Sequence, residues 1–397
     1  MYDLKLGASE KAGYLEAARL AGYWLANSQN TPERPWGGYH VSESADRGRF
    51  IEKCCPSRDY VKPAGIWLTG IYLCSLCDLK KAPVLDKQIY LKAITEGAGF
   101  LKSLQCFDVR WERAIGGFHE ICPGHQYSAP RDAATGAYAL IALYLETGEE
   151  EYLDRAVRFA TWYSTCGSDP EGFPWDDYDL EKGEGVSNKR GDWQAGGALV
   201  YYQLLKVTGD QQWKVPLKRV LDVLEGICAD GNKGDTAYDF HGDCTISVGN
   251  DDFASILLLA GYEVFREERY LELFARRLRT ELERQDERGA FPNFGGTFVT
   301  ALELLEALDC SAAWGVEILP EGEVVGPLLK AARFGLSLQV QDNPSRYMLG
   351  GVCGQGNYAH NRDVVHGRDA AYALQLWLRL AGHRASAYTV LDWGPHG

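Results

Sequence analysis

Six times along this chain a helical pattern with charges down one side gives way to a helical pattern with almost none. Patterns of the second kind begin near Pro63, Asp132, Trp193, Asp251, Gly296 and Gly367. Stretches such as "AATGAYALIALYL", "WQAGGALVYYQLL" and "DAAYALQLWLRL" are apolar nearly all round, which marks helices buried on every side. Patterns of the first kind lie near 8–27, 88–104, 150–166, 211–229, 268–285 and 326–340. There "EYLDRAVRFATWY" and "YLELFARRLRTEL" carry an apolar stripe opposite their charges, as helices of an outer layer do.

The connections alternate as well. Inner-to-outer turns such as "ETGEEE", "VTGDQQ" and "FREER" are short, as antiparallel neighbours require, while outer-to-inner loops are long. Three of the long loops share a design: "WLANSQNTPERPWGGY", "FLKSLQCFDVRWERAIGGF" and "GLSLQVQDNPSRYMLGGV" each leave a helix near a Gln (Gln29, Gln105, Gln339) and reach Gly-Gly. "DPEGFPW" and "DERGAFPNFGG" are weaker echoes. The expected fold is all-α, an (α/α)6 toroid of six helical hairpins forming a single domain over residues 1–397, its long loops gathered at the N-terminal ends of the inner helices. An open solenoid is the rival, but repeats of unequal length without polar capping repeats favour closure. The stretch "DCSAAWGVEILPEGEVV", residues 309–325, is a long excursion that the pattern does not place.

Composition excludes several roles. A formal charge of −14 disfavours nucleic acid and anionic membrane surfaces as partners, since both need a basic footprint. No apolar run is long enough to span a bilayer and no cleavable leader is evident, so a cytoplasmic protein is expected. Eleven cysteines without framework spacing read as reduced thiols, and the lone Cys74–Cys77 CxxC lies inside a helical run as core. No cofactor and no metal are expected. The expected partner is a small-molecule or oligosaccharide substrate, and the oligomeric state is not fixed by the pattern.

The loops carry the chemistry. Six of the eight histidines (His40, His119, His125, His241, His360 and His366) fall there, with Trp36, Trp111 and Trp175; Trp193 opens an inner helix. Carboxylates stand at the mouths of inner helices: Asp132, Asp192, Asp251, Asp252 and Asp369. Each has a plain explanation as a helix cap facing the positive dipole end. Together they would ring one cavity, where burial and like charge drive pKa values apart. The loop "GGFHEICPGHQYSAPRD" adds His119, Glu120, His125, Tyr127 and Arg131, with Glu120 a third candidate acid.

"RDAATGAYALIALYLETGEEEYLDRA" and "GDWQAGGALVYYQLLKVTGDQQW" both run from an Asp through an apolar helix and Thr-Gly-acid into an outer helix. This is similar to the pattern of unsaturated uronyl hydrolases, and the whole architecture resembles the (α/α)6 superfamily of carbohydrate-active enzymes: glycoside hydrolases, polysaccharide lyases and sugar epimerases. The resemblance implies glycosidic bond cleavage in an oligosaccharide, one containing uronic acid being a candidate, with Asp132 and Asp192 as general acid and base. Arg131, Arg362 and Arg368 would then hold a carboxylate or hydroxyls, and Trp36, Trp175 and Trp193 would stack on sugar rings.

Other readings stay open. "GGVCGQGNYAHNRDVVHGRD" gathers Asn357, Tyr358, His360, Asn361, Arg362, His366 and Arg368, the residue types with which a lyase neutralises a uronate and moves the adjacent proton. "WDDYDLE", with Asp176, Asp177 and Asp179, invites comparison with terpene cyclases and prenyltransferases of the same architecture, although it fits neither acidic motif of that class and its loops are polar. A non-catalytic glycan-binding toroid would show the same rings and hydrogen bonders without an acid–base pair.

Overall fold

The computed structural model describes residues 2–36, 46–55, 60–85, 87–187, 190–228, 237–239, 245–247, 253–291, 296–353, 364–386 and 389–390. The fold is an (α/α)6 barrel. In chain order, outer and inner helices alternate: α1 (Ala8–Ser28) and α2 (Ile66–Lys81), α3 (Lys87–Leu104) and α4 (Pro130–Thr147), then α5 (Glu150–Thr165) with an inner element in two parts, α6 (Asp192–Ala195) and α7 (Leu199–Thr208). There follow α8 (Lys214–Cys228) and α9 (Ala254–Phe265), α10 (Glu268–Leu282) and α11 (Gly296–Trp314), α12 (Glu321–Leu338) and α13 (Gly367–Leu380).

Burial separates the layers as the patterning requires. Every residue of α13 and the first fifteen of α11, Gly296 to Cys310, are buried, whereas α10 buries one stripe, Tyr270, Leu273, Phe274, Ala275, Leu278 and Glu281. The excursion at 309–325 resolves into regular structure. It is the last turn of α11, a short connection, and the first turn of α12. In the Thr-Gly-acid turns, Thr147 and Thr208 hydroxyls donate back to Leu143 and Leu204 carbonyls and accept the N–H of Glu149 and Asp210, both at 3.2 Å, starting the next helix.

One device joins neighbouring outer helices at four places. The Gln29 amide donates to the carbonyls of Gly48 (2.8 Å) and of Ala93 on α3 (3.0 Å). Gln105 does the same to Gly116 (3.1 Å) and to Arg155 on α5 (3.0 Å), and Gln285 to Gly289 (3.2 Å) and to Pro327 on α12 (2.9 Å). Gln339 donates to Gly350 (3.3 Å) and to Ala17 on α1 (2.8 Å), which closes the ring and excludes an open solenoid. Each glycine packs on the carbonyl three residues beyond the one its glutamine binds: Glu96, Arg158, Lys330 and Leu20. Between α8 and α10 an arginine substitutes, Arg276 donating to the Cys228 carbonyl at 2.5 Å.

The two ends of the barrel differ. At the short-turn end, Ser386, Thr389 and Val390 lie against the inner helices. The Ser386 N–H and hydroxyl donate to Asp78 (2.7 Å each), the Thr389 hydroxyl and the Val390 N–H donate to Glu306 (3.1 and 2.8 Å), and the Tyr202 hydroxyl donates to the Val390 carbonyl. Glu306 and Asp309 also accept from buried Arg379 at 2.6 and 2.7 Å. At the other end lie the long loops with small antiparallel sheets: β1 (Ile51–Cys55), β2 (Tyr60–Pro63), β3 (Tyr127–Ser128), β4 (Asp177–Asp179), β5 (Glu184–Ser187), β6 (Ala237–Asp239), β7 (Thr245–Ser247) and β8 (Val365–His366). Their orders are β2-β1-β8, β3-β4-β5 and β6-β7. Among the described residues no helix is long and apolar enough to cross a membrane.

Candidate active site

Asp132 does not cap its helix. Pro130 opens α4 behind Ala129, and the free N–H of Ala129 is bound at 3.2 Å by the carboxylate of Glu120, so Glu120 supplies the capping acceptor. Asp132, third in the helix, instead accepts from Arg131 Nη1 at 2.7 Å and keeps 23% of its side chain open. Glu120 is fixed through its backbone: its N–H donates to the Tyr127 carbonyl at 3.0 Å, and its carbonyl accepts the Ile66 N–H at 2.9 Å, at the start of α2. Burial pushes the Glu120 carboxyl well above the usual range, and the negative charge of Asp132 adds to it. The Ala129 N–H opposes the shift, Asp177 on β4 adds to it, and Arg131 opposes it. The result is an acid favoured in its protonated form beside a charged carboxylate, the division of labour that general acid–base chemistry needs.

The second residues of four inner elements form a rim: Trp67 on α2, Arg131 on α4, Trp193 on α6 and Arg368 on α13. The Arg131 guanidinium carbon lies 5.3 Å from the centre of the Trp67 indole, and that of Arg368 lies 5.2 Å from it. Both arginines are 5% exposed, so these contacts are largely desolvated, where cation–π attraction is strongest. The Thr135 hydroxyl is 2.8 Å from both the Trp67 and the Asp132 carbonyls, pinning the two helix starts to each other. Trp67 was not singled out from the sequence. Setting the inner helix starts in register, so that second positions align, is the signal that finds it.

The other expected residues divide. Asp192 is 1% exposed and ion-paired with Arg277 of α10 at 2.7 Å, while Gln194 rather than Asp192 caps the α6 start by accepting the Gly191 N–H at 2.7 Å. Arg277 reaches inward from the outer layer, and nothing in an outer-helix pattern marks it. His119 is buried, which lowers its pKa, and its Nδ1 lies 2.6 Å from the His125 carbonyl; as a neutral ring it donates there and leaves Nε2 as the acceptor. His125 and Tyr127 pack edge to face, with Tyr127 and Asp177 exposed on the paired strands β3 and β4. His366 is held near about 4 by burial, Lys53, Arg368 and Lys62, in that order. Trp175 is partly buried over Gly185. Trp36 is 1% exposed with its indole N–H on the Ser28 carbonyl at 2.7 Å, so the stacking surface expected of it is a packed core ring. His40, His241, Asp251, Asp252, Asn357, Tyr358, His360, Asn361 and Arg362 lie outside the described residues. Among the described residues no three His, Cys, Asp or Glu side chains are grouped to hold a metal ion.

The architecture is shared with enzymes of the (α/α)6 glycosidase-like superfamily. A cellobiose 2-epimerase from Spirochaeta thermophila is 14% identical, with a TM-score of 0.65 over 96% of this chain and 97% of that one. An α-mannanase of glycoside hydrolase family 76 from Bacteroides thetaiotaomicron is 15% identical, with a TM-score of 0.66 over 94% and 98%. An unsaturated glucuronyl hydrolase from Streptococcus agalactiae is 12% identical, with a TM-score of 0.61 over 94% and 92%. At such identities the likeness defines the fold. No protein-family model and no curated protein sequence matches the chain.

Proposed function

We propose that this chain, working as one domain, is a carbohydrate-active enzyme that cleaves a glycosidic bond of an oligosaccharide held in the loop-end cup. The observation that carries the reading is the half-buried Glu120 carboxyl, pushed toward its protonated form next to Asp132. Glu120 gives its proton to the leaving glycosidic oxygen while Asp132 takes one from the attacking water, so the C–O bond breaks and each carboxyl ends in the other's starting state. Asp192, expected from sequence as the partner of Asp132, is assigned to the buried pair with Arg277 instead. The rim arginines Arg131 and Arg368 suit a sugar bearing a carboxylate, a uronic acid, with Trp193 and Trp175 offering ring faces. The solved structures of the same fold act, by their names, on sugars.

Incubation with a panel of neutral and uronate-containing oligosaccharides tests this, following reducing ends and ultraviolet absorbance together. New reducing ends without an absorbance change indicate an ordinary glycosidase, a fall in absorbance indicates removal of an unsaturated uronyl group, and a rise indicates a lyase. Glu120→Gln abolishes turnover in the proposed mechanism. Consumption of prenyl diphosphates with every sugar intact overturns it.

A further inference from the structure

Two guanidiniums share one indole at the mouth of the barrel, and no part of the reading above gives that indole a task. An indole face attracts a cation, and that attraction offsets the repulsion between two like charges drawn to one ring. The Trp67 ring supplies it: Arg131 and Arg368 come from the helices on either side of α2 and both lie within 5.3 Å of the ring centre. Arg131 is in turn the hydrogen-bond partner of Asp132, and Asp132 is the charged neighbour of Glu120. Ring contacts and an ion pair therefore link Arg368 through Trp67 and Arg131 to Asp132, whose charge acts on Glu120.

From these links we infer that Trp67 is a positioning residue for the acid–carboxylate pair, holding the Arg131 guanidinium where it binds Asp132. The inference rests on the pair proposed above. It separates the ring from the backbone around it, because Thr135 already ties the Trp67 and Asp132 carbonyls to each other without help from the indole. Removing the ring therefore takes away one of the contacts that fix the Arg131 guanidinium and leaves the helix junction pinned. The charged groups acting on Glu120 are Asp132 and Arg131 from α4 and Asp177 from β4; of these only Arg131 touches Trp67. Without the indole the guanidinium is held less firmly against Asp132, neutralises it less, and exerts less of its own direct pull on Glu120. Both changes favour the protonated acid.

The test needs no substrate, so it decides this point even if no sugar is turned over. The Glu120 carboxyl is followed by carbon-detected NMR titration of the whole chain, its resonance assigned with Glu120→Gln, in the parent, Trp67→Phe and Trp67→Leu. Phe keeps an aromatic face and leaves the midpoint near the parent's; Leu raises it by about one pH unit, the scale on which a neighbouring opposite charge acts. Arg131→Lys keeps the charge without the planar group that stacks, so it raises the midpoint as well and adds little on top of Trp67→Leu. If Trp67→Leu does not fold, Trp67→Met takes its place in the series. Parallel titrations of all the ring variants, or full additivity with Arg131→Lys, overturn the inference and leave Trp67 as packing.

Discussion

The side-chain amide of Gln339, at the end of the last outer helix, donates to the main-chain carbonyl of Ala17, in the middle of the first, at 2.8 Å. The beginning and the end of the ring are thereby locked to each other. Gln339 is 8% exposed and its amide makes two buried hydrogen bonds, so Gln339→Leu is expected to cost about 1–3 kcal/mol. Gly350 beside it has φ +84 and would bring a Cβ to 1.9 Å from the Leu20 carbonyl, so Gly350→Ala is expected to cost more than Gln339→Leu. Chemical denaturation of both variants measures the order.

Glu120 should lower stability at high pH. Its folded pKa is raised, so the associated stability is present below the ordinary carboxylate range and is lost as pH rises through the folded value. Glu120→Gln cannot ionise and avoids that loss. The melting temperature of Glu120→Gln relative to the parent should therefore climb with pH while turnover stays absent. Asp132→Asn, by removing the negative neighbour, should move the titration midpoint of the Glu120 carboxyl to lower pH.

Asp192 and Arg277 are expected to behave as a structural pair. Their side chains are 2% and 12% exposed, and truncating either leaves its partner's charge buried, at a cost of about 3–5 kcal/mol. Asp192→Ala should thus melt well below the parent. Parent-like stability in Asp192→Ala with turnover alone lost would instead return Asp192 to the chemistry.

His366 carries the opposite sign of pH dependence. A pKa lowered to about 4 means that stability is present above the ordinary imidazole range, near about 6.5, and is lost as pH falls through about 4. His366→Gln should flatten the acid side of the melting curve across that window. It should leave the alkaline limb of activity, assigned to Glu120, where it was.

The barrel was legible because burial imposes periodicity, and helices surrounded on all sides read differently from helices with a wet face. The joints were legible in part. Gln29, Gln105 and Gln339 stand out, but the stretch after Gln285 reads only as a weak echo, and the glycine that Gln29 binds is Gly48. The reason is that the glycine is chosen by its approach to a neighbouring helix, and the separations along the chain are 19, 11, 4 and 11 residues. The same limit governs the site. Asp132 was visible as an acid at a helix mouth, but that Glu120 would take over the capping is a fact of loop geometry, and Arg277 arrives from another layer altogether.

Ser386, Thr389 and Val390, bound to Asp78 and Glu306, cover part of the far end of the barrel. Cover at that end favours entry and exit through the same loop-rich face, so that whatever is released would compete with whatever arrives.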